Sequence, residues 1–320
     1  MKRRDLLVGA AAGLGLSSPA AARRRTRSRK HLWKGRKGMI PILDTHQHLW
    51  DLDKFQLPWL SGGGPLATSH VMSDYLKAAE GLNVVKTIYM EVDVHPSQLV
   101  AEAEYVFDFC RRSDNPMVGA VIGGRPSSEL FRPYLDRFKG EPHLKGVRQV
   151  LHTPATPAGY CVEEAFVAGV RLLGERNLSF DLCVPGDALD SAAQLVDACP
   201  GTRFILDHCG NANVQQKERD AWKKGIDAVA KRKNVVCKIS GIVASADPKA
   251  WSADDLAPIV LHCAEAFGRD RLIFASDWPV CTLVATLRQW VEALGAIVSA
   301  WPEADRRKLF HDNAAKFYGV

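Results

Sequence analysis

The feature that most constrains this chain is a rhythm. From Ile40 onward, short apolar runs of strand length alternate with longer segments of helical period, and the alternation occurs eight times. The strand-like runs are residues 41–48, 85–92, 117–123, 144–152, 178–184, 203–209, 234–240 and 271–276, and the spacing predicts helices over 97–112, 161–175, 188–198, 215–231, 252–267 and 284–299. Eight strands joined by helices close most economically as a (β/α)8 TIM barrel, because a doubly wound sheet would usually show fewer strands. Gly62-Gly63-Gly64-Pro65 interrupts the first crossover, which predicts a long irregular loop over the barrel mouth. It lacks the Gly-Lys-Ser/Thr ending of a phosphate-binding loop.

The pattern assigns residues 39–320 to one barrel domain and sets residues 1–38 apart as a targeting or basic N-terminal segment. The formal net charge of +6 arises there: twelve of the 42 Lys and Arg lie in the first 38 residues against a single acid, Asp5. The barrel portion is therefore net negative and offers no basic field for nucleic acid. No run approaches the roughly 18 apolar residues of a membrane span. Lys2-Arg3-Arg4-Asp5-Leu6-Leu7, an apolar stretch to Leu16 and Ala20-Ala21-Ala22 resemble a twin-arginine export signal with a cleavage site, which predicts a periplasmic protein. The alternative is a cytoplasmic protein that starts at Met39, since the basic run 23–37 would hinder export. The eight cysteines form no CxxC pair and read as reduced core residues.

In a barrel of this kind, ionisable residues at the C-terminal ends of strands converge on one mouth. The first strand ends Asp44-Thr45-His46-Gln47-His48, and alternation puts His46 and His48 on one face. His208 ends the sixth strand and Asp277 the eighth. Three imidazoles and a carboxylate are ligand types that suit zinc. Arg148 and His152 share a face of the fourth strand, where a guanidinium could hold a substrate oxygen or polarise a carbonyl; an ion pair in the barrel wall is the alternative. Glu91 ends the second strand, either as a ligand of a sugar hydroxyl or metal or as a solvated strand end. Trp50 and Trp278 could stack on a sugar ring, roof the site, or pack in the core. Lys238 lies among apolar residues, so its burial demands a partner that the sequence does not name.

These motifs together resemble the amidohydrolase superfamily, in its lactonase branch of fuconolactonase-, rhamnonolactonase- and pyrone-dicarboxylate-lactonase-like enzymes. The resemblance rests on Asp44-Thr45-His46-Gln47-His48-Leu49-Trp50-Asp51, Lys145-Gly146-Val147-Arg148, Leu206-Asp207-His208-Cys209-Gly210, Cys237-Lys238-Ile239-Ser240-Gly241, Ser276-Asp277-Trp278-Pro279 and the ending Asn313-Ala314-Ala315-Lys316-Phe317-Tyr318-Gly319. It implies a metal-dependent or metal-assisted hydrolase with His46, His48, His208 and Asp277 at its centre. The fifth strand reads Ser179-Phe180-Asp181-Leu182-Cys183-Val184 and lacks the histidine many members place there, and Lys145 lies at the start of the fourth strand. A binuclear centre is thereby disfavoured, which leaves one divalent ion, zinc first among candidates, or a metal-free site.

The reaction expected is hydrolytic opening of a small lactone, with Asp277 as general base and His46, His48 and His208 polarising the carbonyl. Arg148, His152, Glu91 and Trp278 are the expected substrate contacts, and a neutral aldonolactone is favoured over a dicarboxylate. A decarboxylase of the same superfamily and a barrel that binds a sugar acid without turnover are the alternatives.

Overall fold

The computed structural model describes residues 38–153 and 155–320. The expected export signal and cleavage site lie outside the described residues. The described residues form eight strands: β1 (Ile42–Gln47), β2 (Val84–Met90), β3 (Met117–Gly123), β4 (Leu144–Val150), β5 (Ser179–Cys183), β6 (Arg203–Leu206), β7 (Val235–Ile239) and β8 (Leu272–Phe274). All neighbours run parallel in the order β1 to β8, so the expected (β/α)8 barrel is the fold observed. The ring is completed between β8 and β1 by a parallel bridge from Gln47 to Trp278, with His48 N donating to Trp278 O at 2.9 Å and Asp277 N to His46 O at 3.0 Å. Closure of the barrel therefore also sets the first histidine pair against Asp277.

Several strands stop earlier than their apolar runs suggest. β6 ends at Leu206 because His208, Cys209 and Gly210 turn into the left-handed region, with φ of 53, 52 and 66°. The six expected helices are all present, trimmed at their ends: Leu99–Arg111, Glu164–Glu175, Leu189–Ala198, Asp220–Ala230, Ala253–Phe267 and Leu287–Ile297. The last shows its start signal plainly. Gln289 N donates to Thr286 Oγ1 at 3.2 Å while Thr286 N donates to Gln289 Oε1 at 2.8 Å, a reciprocal capping box.

The core has two parts, as strand alternation requires. Residues facing outward from the barrel, such as Phe180, Phe204 and Val235, pack beneath the helices. Those facing inward, including Leu43, Ile88, Met90, Val121, Ile205 and Ile273, fill the barrel with Ala314 and Tyr318 of the C-terminal helix Asn313–Tyr318. All eight cysteines are buried and free, as their spacing suggests. Among the described residues no helix is long and apolar enough to cross a membrane. The long first crossover contains the Gly-rich stretch; an antiparallel bridge from Trp50 to His70 ties it down, and it carries Trp50 and Trp59 toward the mouth.

Close packing of the helices on one another's loops is visible at Gly169, where an added Cβ would stand 2.1 Å from the Pro126 carbonyl oxygen. Alanine in an exposed helix normally stabilises by up to about 1 kcal/mol over glycine, but overpacking against fixed backbone costs about 1–3 kcal/mol. Gly169→Ala is therefore expected to lower the urea midpoint; an unchanged or raised midpoint would show that this contact yields freely.

Candidate active site

A cavity of 480 Å³ opens at the C-terminal end of the barrel, lined by His48, Arg148, His152, His208 and Asp277 with Trp50, Trp59, Val92, Val150 and Val280 among its walls. His46 forms the floor beneath His48, and its position follows from β1: His46 and His48 point inward, two residues apart, with Nε2 atoms 3.1 Å from each other. Asp277 Oδ1 lies 3.4 Å from His48 Nε2 and 3.6 Å from His46 Nε2. His208 stands across the floor, its ring centroid 4.5 Å from that of His46. The four residues expected at the centre are thus brought together, by strand ends from opposite sides of the barrel.

Local backbone conformation aims two of them. Asp277 and His208 both sit at positive φ, 56° and 53°, a conformation that costs a non-glycine residue about 1–3 kcal/mol and persists only where surrounding structure enforces it. Room for the His208 ring comes from Gly241, where a Cβ would fall 2.4 Å from His208 Nδ1. That nitrogen instead meets the Ser240 hydroxyl at 2.9 Å. His48 is oriented similarly, its Nδ1 donating to the Met90 carbonyl at 3.0 Å, which leaves the Nε2 lone pair facing His46 and Asp277.

Beneath the histidines lies a fully buried charge cluster. Lys238 Nζ contacts Asp181 Oδ2 at 2.5 Å, Asp207 Oδ1 at 3.0 Å and His46 Nδ1 at 3.3 Å. Burial alone would depress the Lys238 ammonium, but Asp181 and Asp207 outweigh it and hold the group above its ordinary range. Burial likewise opposes the Asp207 carboxylate, yet Lys238 and His46 hold it well below the usual value. His46, buried and beside the Lys238 charge, is held well below the ordinary imidazole value and is neutral. Arg148 closes the ring: Nε donates to Glu91 Oε1 at 2.6 Å, Nη2 to the Glu91 carbonyl at 2.7 Å, and Nη1 lies 3.2 Å from His46 Nε2.

Several expected substrate contacts stand differently. Glu91 is fully buried behind Arg148 and does not line the cavity, so it holds the guanidinium instead of meeting substrate or solvent. Trp278 also turns away: its ring packs edge-on to Tyr75 and His70, and Trp59 takes the wall position beside Trp50. His152 lines the cavity from the bend after β4, past the strand that was expected to carry it. Asp207 and Asp181, the partners of Lys238, lie outside the expected site residues. The signal for them is the period of two, which turns Asp181 inward in β5 and Asp207 inward two residues beyond Ile205.

The donor set fits a divalent ion. One ligand atom each from His46, His48 and Asp277 lie within 4.8 Å of one another, and a second set of His46, Asp207 and His208 meets the same measure. Both include His46, which meets His48 and Asp277 with its Nε2 and Asp207 with its Nδ1, so the first set is the one that faces the cavity. The fixed Nδ1 hydrogen bond of His48 is the arrangement that orients a metal-binding imidazole.

A parallel eight-stranded barrel with imidazoles and a carboxylate gathered at the C-terminal mouth defines a hydrolase-type centre. Residues 43–320 match the amidohydrolase family (Amidohydro_2), and the chain belongs to that family. It is similar to an L-fucono-1,5-lactonase of Burkholderia multivorans, 28% identical over 297 residues that span 87% of this chain and 96% of the relative. It is also similar to an L-rhamnono-gamma-lactonase of Scheffersomyces stipitis, 22% identical across 87% of this chain and 98% of that one. The crystal structure of a Burkholderia multivorans amidohydrolase with bound zinc shares the fold, with a TM-score of 0.78 at 22% identity over 88% of this chain and 99% of that one.

Breaking one side of a buried ion cluster leaves charge uncompensated, at a cost of about 3–5 kcal/mol. Lys238→Met is expected to lose stability of that order near neutral pH, read from denaturant unfolding. The loss should shrink on acidification, because Asp181 and Asp207 can then take up protons once the ammonium is gone. A loss that does not change with pH would mean that lost packing, and not the two carboxylates, accounts for the effect.

Proposed function

We propose that this chain opens a small, neutral lactone by hydrolysis, with a sugar aldonolactone as the favoured substrate class. The observation that carries the reading is Asp277, whose carboxylate faces the cavity 3.4 Å from His48 Nε2 and 3.6 Å from His46 Nε2. The names of the similar lactonases support it.

Asp277 takes a proton from a water held at the cavity floor, and the oxygen adds to the lactone carbonyl. Arg148 Nη1, beside His46, is placed to donate to the developing oxyanion. His208, locked by Ser240, fixes the opposite side of the carbonyl group. The acyl–oxygen bond of the ring then breaks, and the departing ring oxygen receives its proton from Asp277. His46, His48 and Asp277, with His208 at hand, would hold a divalent ion, zinc first; such an ion supplies Lewis acidity and a more acidic water.

The charge inventory favours a neutral substrate. Each cation near the cavity already has a carboxylate: Arg148 has Glu91, Lys238 has Asp181 and Asp207, and at the rim Arg125 meets Asp93 at 2.7 Å. Among the described residues an anionic substrate would find no free cation at the cavity to receive it, at a cost of several kcal/mol for a buried, unpaired carboxylate. Trp50 and Trp59 instead offer flat apolar walls, and Asp93, His152 and Asn211 offer hydrogen bonds to hydroxyl groups.

Asp277→Asn is expected to lower turnover by at least about 10²-fold, the lower end for losing a general base, with circular dichroism unchanged. The purified native protein should carry at most one metal ion per chain by elemental analysis. Near-native turnover in the variant would remove Asp277 from the centre of the reaction. In a panel of lactones followed by acid release, uncharged aldonolactones should exceed dicarboxylated lactones in kcat/KM; the reverse order would overturn the assignment of substrate charge.

A further inference from the structure

Behind Arg148 lies a second buried carboxyl group for which the hydrolytic reading has no use. Glu102, on the helix Leu99–Arg111, is 1% exposed. Its Oε1 accepts from the Tyr89 hydroxyl at 2.9 Å and from the Val92 amide at 2.8 Å, while Oε2 has no hydrogen-bond partner among the described residues. At Gly123 the point where a Cβ would stand is 3.3 Å from Glu91 Oε2 and 3.5 Å from Glu102 Oε2. The two carboxyl groups thus approach the same point beside Gly123, which the Leu99 side chain also borders with its Cδ2 at 2.8 Å.

Two carboxylates sharing one buried space do not both ionise. A proton held by Glu102 leaves one negative charge, on Glu91, opposite the one guanidinium that Glu91 grips; Glu91 Oε2 itself accepts from the Asp93 amide at 2.7 Å. The other groups around Glu102 leave its Oε2 without a partner among the described residues. Tyr89 from β2 already donates to Oε1, Tyr134 from the helix Phe131–Asp136 donates to the Gly123 carbonyl at 2.6 Å, Arg148 from β4 is committed to Glu91, and Arg125 is committed to Asp93.

We propose that Glu102 is a positioning residue of the hydrolytic centre, holding one proton against Glu91 and, through Glu91, fixing Arg148 beside His46. The proposal rests on the reading of Arg148 as part of that centre. Burial, followed by the charge of Glu91, pushes the Glu102 carboxyl up to about 8, so the proton is in place at neutral pH. Above that range a second negative charge appears behind Glu91, competes for the guanidinium and draws it from the carbonyl that it serves.

The test compares the wild type with Glu102→Gln and Glu102→Leu on one neutral lactone from pH 6 to pH 10, after subtraction of spontaneous hydrolysis. The wild type should lose kcat on an alkaline limb with an apparent pKa of about 8. Glu102→Gln, which carries an N–H toward Glu91 at every pH, should keep kcat within about 3-fold at pH 7 and move that limb upward by at least about one unit. Glu102→Leu strands the Val92 amide, leaves the Tyr89 hydroxyl only the Leu49 carbonyl at 3.3 Å, and should lose at least about 10-fold throughout. A purely structural role would lower stability without moving the limb, so coincident wild-type and Glu102→Gln profiles in an active enzyme overturn the proposal.

Urea unfolding from pH 5 to pH 9 reads the proton without any substrate. A carboxyl raised in the folded state loses stability as pH climbs from its unfolded value of 4.5 toward about 8. The gap between wild type and Glu102→Gln should therefore widen in favour of the variant across that window, and a constant gap overturns the shared proton. A widening gap in a chain that turns over no lactone would instead retain the proton pair and reject the hydrolytic reading, together with the positioning role built on it.

Discussion

A primary ammonium group with no access to water sits near the axis of this barrel, and much of the site is arranged around its needs. Lys238 cannot be buried charged without carboxylates, so β5 contributes Asp181 and the turn after β6 contributes Asp207. The same ammonium reaches His46 Nδ1 from below, which links the interior charge to the floor of the cavity. Such clusters add little net stability over an apolar core of equal volume. Their value here lies in fixing which way each imidazole and guanidinium faces.

A second consequence concerns barrel closure. β8 has only three residues, and it meets β1 through the Gln47 to Trp278 bridge, the Asp277 amide and the His46 carbonyl. Asp44, fully buried, adds hydrogen bonds from the Ser276 amide at 2.8 Å and the Tyr75 hydroxyl at 2.8 Å. The seam that completes the fold and the pairing of His46, His48 and Asp277 are therefore one structural feature. Damage to the seam would be read first as lost chemistry.

The charged groups form shells around the reacting centre. Asp277, His48 and His208 face the cavity, Arg148 and His46 stand at its floor, and Glu91, Asp207, Lys238 and Asp181 lie beneath. Arg148, Lys238 and Arg125 are each matched by a carboxylate before any substrate arrives. The cavity consequently presents hydrogen-bonding groups and aromatic walls, a surface suited to an uncharged ring bearing hydroxyls.

The chain alone set the eight strands, most of the helices and the common face of His46 and His48, because strand length, helical period and the alternation of side chains are local properties; that this face is the inward one, shared with Leu43 three residues before His46, goes with the irregular register of β1 between Asp44 and Gln47. It also placed His208 and Asp277 at strand ends. It mistook Trp278 for a wall of the cavity and Glu91 for a substrate contact, since a position next to a strand end does not say whether a neighbour already occupies the space. Long-range packing alone decided that Lys238 on β7 meets Asp181 on β5, that Glu91 and Glu102 both approach Gly123, and that Trp59 from the first crossover walls the cavity. Those contacts depend on the stagger of strands around a closed barrel and on the path of a long loop, and neither quantity has a period that the chain can display.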